Sequence, residues 1–142
     1  MLPEPYRLHH RADFSRTVRR GRRIGRRDLV VHALVWPTGP DEHTGEPFVR
    51  SGGPRFGLIV SKAVGSAVVR HRVARRLRHM CGALRDELPA ETDIVIRALP
   101  GAADTPTAEL DRQLRAALHK LLRAPAERVR TGTPVPTADG AP

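Results

Sequence analysis

Apolar positions recur along this chain with two different periods, and the changes between them mark its elements. Met1 to His10 is polar and Pro-containing, an extended lead-in with Leu8 as its anchor. From Asp13 to Arg20 the spacing is helical. Phe14 and Val18 share a face at i and i+4, Asp13 suits the first turn, and Arg19-Arg20 before Gly21 closes it. Arg22 to Arg27 reads as a basic connection. Leu29 to Trp36, LVVHALVW, alternates and is rich in β-branched residues, which predicts a strand apolar on both sides with His32 as its polar break. Pro37 ends it. Gly, Pro and acids fill the stretch that follows, predicting a mobile hairpin loop over 37–54. Arg55 to Val60 and Asp93 to Leu99 are the other two predicted strands, the last turned by Pro100-Gly101.

Between those strands lies the most strongly two-sided segment, Ser61 to Cys81, SKAVGSAVVRHRVARRLRHMC. Gly65 permits a turn and Ser66 stands where an N-cap belongs. At about 100° per residue, Val69, Val73, Leu77, Met80, Cys81 and Leu84 fall within an arc of roughly 120°. Arg72, Arg75, Arg78, His71 and His79 cover the far side, with Arg70 and Arg76 along the borders. The helix is expected to run to about Glu87, with Pro89 as its stop. A final helix is expected from Thr105 as N-cap and Pro106 at the first position, with Leu110, Leu114, Leu118, Leu121 and Leu122 as its core stripe. Past Arg123 the apolar period is lost, so 124–142 reads as a disordered tail.

The order helix, strand, strand, helix, strand, helix predicts an α+β fold. It would be a small two-layer sandwich, a three- to four-strand sheet with helices packed on it, as one domain over 1–123. Strand 55–60, the basic helix and strand 93–99 form a βαβ unit, which makes those two strands parallel.

Charge changes the picture. The 142 residues carry a net +10, and Lys62 and Lys120 are the only lysines. Residues 1–36 and 55–88 each hold +6, so the excess sits in two blocks that could meet as one surface. Forked guanidinium groups match phosphate oxygens in pairs and stack on bases, which points to nucleic acid. A solvated helix face is the plain alternative. Against it, no acid occurs from Lys62 through Arg85 to pair along the helix.

Protein-borne catalysis finds little support. Asp13 and Asp93 have no second acid beside them in sequence. His71 and His79, like His9 and His10, lack zinc-site spacing, so no metal site is expected. No phosphate-binding loop or nucleophile elbow is present. Cys81, the only cysteine, sits on the apolar face and is expected to be a buried thiol. No apolar run approaches ~18 residues, so no membrane contact and a cytoplasmic location are expected.

VGSAVVRHRVARRLR, preceded by Phe56-Gly57-Leu58-Ile59-Val60-Ser61-Lys62, resembles the signature helix and lead-in strand of the bacterial ribonuclease P protein component. Tyr6-Arg7-Leu8 with Asp13-Phe14 and Val18, Gly21-Arg22-Arg23, Leu29 to Leu34, Asp93-Ile94-Val95-Ile96 with Pro100-Gly101-Ala102, and Leu114 to Leu122 are similar to its other blocks, in order. Three positions depart from the pattern. His71 replaces the middle Asn of Arg-Asn-Arg, Ser66 replaces an Asn after Gly, and Ala74 replaces a Lys, taking one charge from the face. His71 keeps a planar donor and acceptor, so RNA contact is expected to survive.

The resemblance implies a protein subunit of ribonuclease P, monomeric by itself, that binds the catalytic RNA and the 5′ leader of precursor tRNA. The holoenzyme removes the leader endonucleolytically, with chemistry carried by the RNA and by Mg²⁺ bound mainly to it. It also implies a left-handed βαβ crossover, against the common rule. Lys62, Arg70, His71, Arg72, Arg75, Arg76 and Arg78 would face RNA, as would Arg19, Arg20, Arg22 and Arg23. Phe14, Val18 and His32 would line a leader-binding cleft, Phe14 as a stacking platform. Each has a plainer counterpart: Phe14 and Val18 as helix–sheet core, His32 as a satisfied half-buried histidine, the early arginines as solubilising charge. Two other functions stay open on composition, a ribosomal or ribosome-assembly RNA-binding protein and a DNA-binding protein with Arg70–Arg78 on a recognition helix. The latter lacks the short helix of a helix-turn-helix before it.

Overall fold

The computed structural model describes residues 6–36 and 53–131, with side chains as far as Leu122. In chain order the elements are α1 (Arg11–Arg20), β1 (Arg22–Gly25), β2 (Leu29–Val35), β3 (Arg55–Ile59), α2 (Ala67–Leu84), β4 (Thr92–Ala98) and α3 (Thr107–Thr131). The strands form one sheet in the order β1-β2-β4-β3. β1 and β2, and β2 and β4, are antiparallel, while β3 and β4 are parallel as the βαβ reading requires. The lead-in runs beside β3, where the Leu8 N–H donates to the Phe56 carbonyl at 2.9 Å and the Leu8 side chain is buried.

Register sorts the side chains onto two faces. Leu29, Val31, Ala33, Phe56, Ile94, Ile96 and Ala98 build the core with Val73, Leu77, Met80, Cys81 and Leu84 of α2 and Leu110, Leu114, Leu118 and Leu121 of α3. Cys81 is fully enclosed there, and burial pushes its thiol far above the ordinary range, so it is an inert core residue. The other face carries His32, Val95, Gly57, Arg55 and Asp93, and α1 lies across it. Gly57 is required for that packing, because a Cβ at this position would run into the Phe14 ring and Leu8. At the end of α1, Arg55 joins helix and sheet. It holds Asp93 with Nε–Oδ1 and Nη2–Oδ2 contacts of 3.0 and 2.8 Å and lies 3.6 Å from Asp13 Oδ2.

Three sequence expectations need correction. The basic connection 22–27 contains a strand, β1, hidden because RRIG is short and half arginine. The last helix begins at Thr107, since the Pro106 carbonyl accepts from both Glu109 and Leu110 at 3.0 Å. Thr105 is drawn elsewhere: its hydroxyl lies 2.8 Å from Asp28 Oδ2 and 2.9 Å from the Gly101 carbonyl. That helix also continues to Thr131, through the first eight residues assigned to the tail. Ala124, Ala126 and Glu127 are good helix formers, and helical backbone does not require an apolar stripe. The remaining tail, 132–142, and 37–52 of the loop lie outside the described residues.

Asp28 is the buried polar node of this end of the molecule, only 3% exposed. Its carboxylate accepts from Gln113 Nε2 at 2.8 Å and Arg27 Nε at 3.2 Å as well as facing Thr105, and its N–H donates to Gln113 Oε1 at 3.0 Å. A Cβ on Gly101 would strike Asp28 Oδ1, which gives the Pro100-Gly101-Ala102 turn its glycine. Burial alone would push this carboxyl up, but the donors from Gln113, Thr105 and Arg27, with the Arg27 charge, hold it below the ordinary 3.8. A depressed folded value means the stabilisation is full above the unfolded value and is lost as pH falls through the folded one. Asp28→Ala is expected to cost about 2–3 kcal/mol at pH 7 by leaving buried donors unmet. In urea melts the gap between wild type and variant should shrink below about pH 4; a gap that stays constant into acid would contradict this account.

Candidate nucleic-acid interface

α2 presents its arginines because its start and its apolar flank are fixed. Gly65 has φ 154°, a region open to glycine, and Ser66 Oγ accepts the Val69 N–H at 3.3 Å, as an N-cap should. Val73, Leu77 and Cys81 are completely buried beneath the helix. The opposite side then carries His71, Arg72, Arg75 and His79, all exposed, with Arg78 half-buried. Among the described residues none of these five has an ion-pair partner. They line one groove together with Arg7, Val68 and Thr107. Val68, 74% exposed, puts an apolar side chain at the edge of this cationic surface.

The border arginines behave differently. Arg70 Nε donates to the Gly65 carbonyl at 3.2 Å, tying the helix back to its own lead-in. Arg76 is held more firmly, with Nη1 donating to the Thr105 carbonyl at 3.0 Å and Nη2 to the Ala102 carbonyl at 3.2 Å. It fastens α2 to the turn before α3 and also lines the groove. Ala74, read as a charge missing from the face, is 8% exposed and belongs to the packed flank instead. Lys62 is exposed in the short turn before α2.

Of the early arginines, Arg19, Arg20 and Arg23 are exposed. Arg22 points to the core side, where Nη1 donates to the Leu121 carbonyl at 3.0 Å. The cause lies four residues on: Pro125 has no N–H, so this carbonyl has no intrahelical donor. Phe14 and Val18 are each half-buried between α1 and the sheet. His32, on the same face, is 4% exposed and more enclosed than a half-buried reading implied. Burial, then the charges of Arg97 and Arg23, hold its imidazole below the ordinary value, so the ring is neutral near pH 7.

Sequence reasoning missed Arg97. It is the only exposed side chain of β4 and stands on the α1 face of the sheet. The signal was one arginine at an alternating position of an otherwise apolar strand. Asp13 and Asp93, which no sequence spacing linked, do converge, but around Arg55 and not around a reacting group. Among the described residues no three His, Cys, Asp or Glu side chains cluster as a metal site, and no helix is long and apolar enough to cross a membrane.

These features define a class: a small α+β protein that offers the exposed basic face of one helix, a surface suited to a nucleic-acid backbone. The strand and turn before α2 leave no helix-turn-helix for the DNA reading. A family model described as Ribonuclease P matches residues 2–122. Among curated proteins, the ribonuclease P protein component of Nocardia farcinica is 67% identical, covering 93% of this chain and 94% of its own. That of Rhodococcus opacus is 63% identical over 85% and 92%. The solved RNase P protein of Staphylococcus aureus aligns with a TM-score of 0.64 at 26% identity, covering 82% of this chain and 97% of its own. The chain belongs to the bacterial ribonuclease P protein component family: it is the protein subunit of the ribonucleoprotein endoribonuclease that matures the 5′ ends of tRNA, and so a partner of the ribonuclease P RNA.

The division among arginines is measurable. Replacing Arg72 and Arg75 together with Gln should flatten the fall of log K with log[salt] for the RNA partner by about two, with little change in stability. Arg76→Gln should instead lower the urea midpoint, by about 1–2 kcal/mol, for the loss of charge-assisted bonds to carbonyls. The reverse pattern would show that the structural and exposed roles have been exchanged.

Proposed function

We propose that the exposed face of α2 lies on the folded catalytic RNA and that the cleft between α1 and the sheet receives the single-stranded 5′ leader of precursor tRNA. The observation that carries the first half is the set His71, Arg72, Arg75, Arg78 and His79, carried on a helix whose other flank is buried and, among the described residues, without ion-pair partners. Like charges so close repel, and a polyanion relieves that repulsion while releasing its own counterions. Supporting the second half are Phe14 and Val18, half-buried on one side of α1 above a sheet face whose floor is His32 and Gly57. The Phe14 ring approaches Gly57 by its Cε1–Cζ edge, and an uncovered face of that ring is a surface for a base to stack on.

In this reading the protein positions RNA and does no proton transfer. Mg²⁺ supplies the activation of water and the charge neutralisation that phosphodiester hydrolysis needs. The described side chains do not fit a site for it: the two acids that converge, Asp13 and Asp93, are both engaged by Arg55. The metal is therefore assigned to RNA phosphates. The protein's part is to bring the leader across the sheet and to offset phosphate repulsion where substrate and catalytic RNA meet.

Mixing the protein with the catalytic RNA should stimulate precursor tRNA cleavage at low Mg²⁺; no gain over the RNA alone would reject the proposal. Phe14→Ala in the reconstituted holoenzyme should weaken leader-bearing precursor roughly tenfold, the scale of one lost base–aromatic stack, and leave mature tRNA unchanged. Equal losses for both substrates would assign Phe14 to the core alone.

A further inference from the structure

We propose that Arg23 and Arg97, on either side of His32 on the α1 face of the sheet, form a phosphodiester-binding site that grips the backbone of one RNA strand crossing the sheet. The inference rests on the cleft reading above and adds to it the residues that hold the strand's charge.

Register brings the pair together. Arg23 of β1 is directly opposite His32 of β2, so the two share a face. His32 is in turn opposite Val95 of β4, and Arg97 is two residues further along that strand, opposite Val30. Arg97 is thus the diagonal neighbour of His32, and the two arginines lie on strands flanking β2, about 12 Å apart at the backbone once the two-residue offset is added to two strand spacings. Arginine side chains are long enough for both forks to reach one stretch of phosphodiester backbone from those positions. Half-buried Val30 and Ile59, which share the Arg97 row, give an apolar surface for sugar and base beside it.

Neither arginine has a structural duty. Both are exposed, and among the described residues neither has a hydrogen-bonding or ion-pair partner. The acids of this face, Asp13 and Asp93, are taken by Arg55. An exposed, unpaired arginine on the central β4, whose other residues are all buried, is out of place in a purely structural sheet. Arg23, directly opposite His32, and Arg97, on its diagonal, are close enough for their charges to act on its ring. Staying neutral, it forms a closed floor that adds no third charge, and the two forks concentrate the positive potential above it.

The test uses the reconstituted holoenzyme with Arg97→Gln, Arg97→Lys and Arg23→Gln, and precursors in which single leader linkages are replaced by neutral methylphosphonate. Both Gln variants should weaken leader-bearing precursor by roughly five- to tenfold, the scale of a charge-assisted bond, and spare mature tRNA. Arg97→Lys should recover part of the loss. One linkage should stand out: neutralising it should weaken wild type by a similar factor and Arg97→Gln no further. Equal weakening of precursor and mature tRNA, or methylphosphonate penalties that persist in the Gln variant at every linkage, would overturn the site. If Phe14→Ala is selective for the leader while Arg97→Gln is not, the phosphate site falls and the cleft stands; if neither is selective, the cleft reading falls with it.

Discussion

The exposed cationic face of α2 depends on the burial of one stripe on the helix's other side. Val73, Leu77 and Cys81 have no exposure, and Met80 and Leu84 have 3%. Each such side chain contributes roughly 1.5–3 kcal/mol by leaving water. Two exposed arginines about 6 Å apart repel by less than about 1 kcal/mol in water, and salt weakens even that. The hydrophobic term wins by a wide margin, so a crowd of like charges can be held in place before any RNA arrives. A flexible segment with the same charges would have to be ordered on binding, at the cost of its conformational entropy. The core thus serves recognition by making the cationic surface rigid in advance.

A second constraint shapes the opposite face of the sheet. Arg55 lies between an acid of β4 and an acid of α1, and Trp36 adds a 2.9 Å bond from its Nε1 to Asp93 Oδ2. With Asp93 sealed from solvent, removing Arg55 would strip a buried carboxylate of its bidentate guanidinium partner. The network pins the N-terminal end of α1, while Gly57 sets how closely Phe14 approaches the strand. Between them they fix the distance from helix to sheet. The row through Gly25, Val30, Arg97 and Ile59 retains half-buried and exposed residues, and that opening is where a strand can enter.

Periodicity revealed most of this fold, because α1, β2, β3, α2 and β4 each have enough apolar positions to show their period. The parallel β3–α2–β4 unit followed from their order. The N-cap at Ser66, the buried Cys81 and the anchoring Leu8 were also legible, each depending only on local neighbours. What escaped depends on contacts distant in sequence. Nothing in RRIG announces a strand until β2 is there to pair with it. Asp28 looks like a stray acid among arginines until Gln113, 85 residues on, meets it. The inward turn of Arg22 meets a carbonyl that a proline about a hundred residues on leaves free.

The candidate site was legible to the same degree and for the same reason. Helical spacing placed Arg72 and Arg75 outward, where both are exposed, and Arg70 and Arg76 on the borders; Arg78, also read as outward, is half-buried. It could not say that a border guanidinium has backbone carbonyls within reach. Arg is also the wrong residue from which to expect a clean division, since one planar fork serves both purposes. It can satisfy carbonyl or carboxylate oxygens inside the fold, as Arg22, Arg55 and Arg76 do, or phosphate oxygens outside it. Lysine, a mobile and strongly hydrated point charge, would make a poor substitute at those internal positions. In a chain with only two lysines, abundance of positive charge therefore says little about how much of it is free for RNA. The surface available to nucleic acid is what remains after the fold has used the arginines it needs, and only the tertiary structure performs that subtraction.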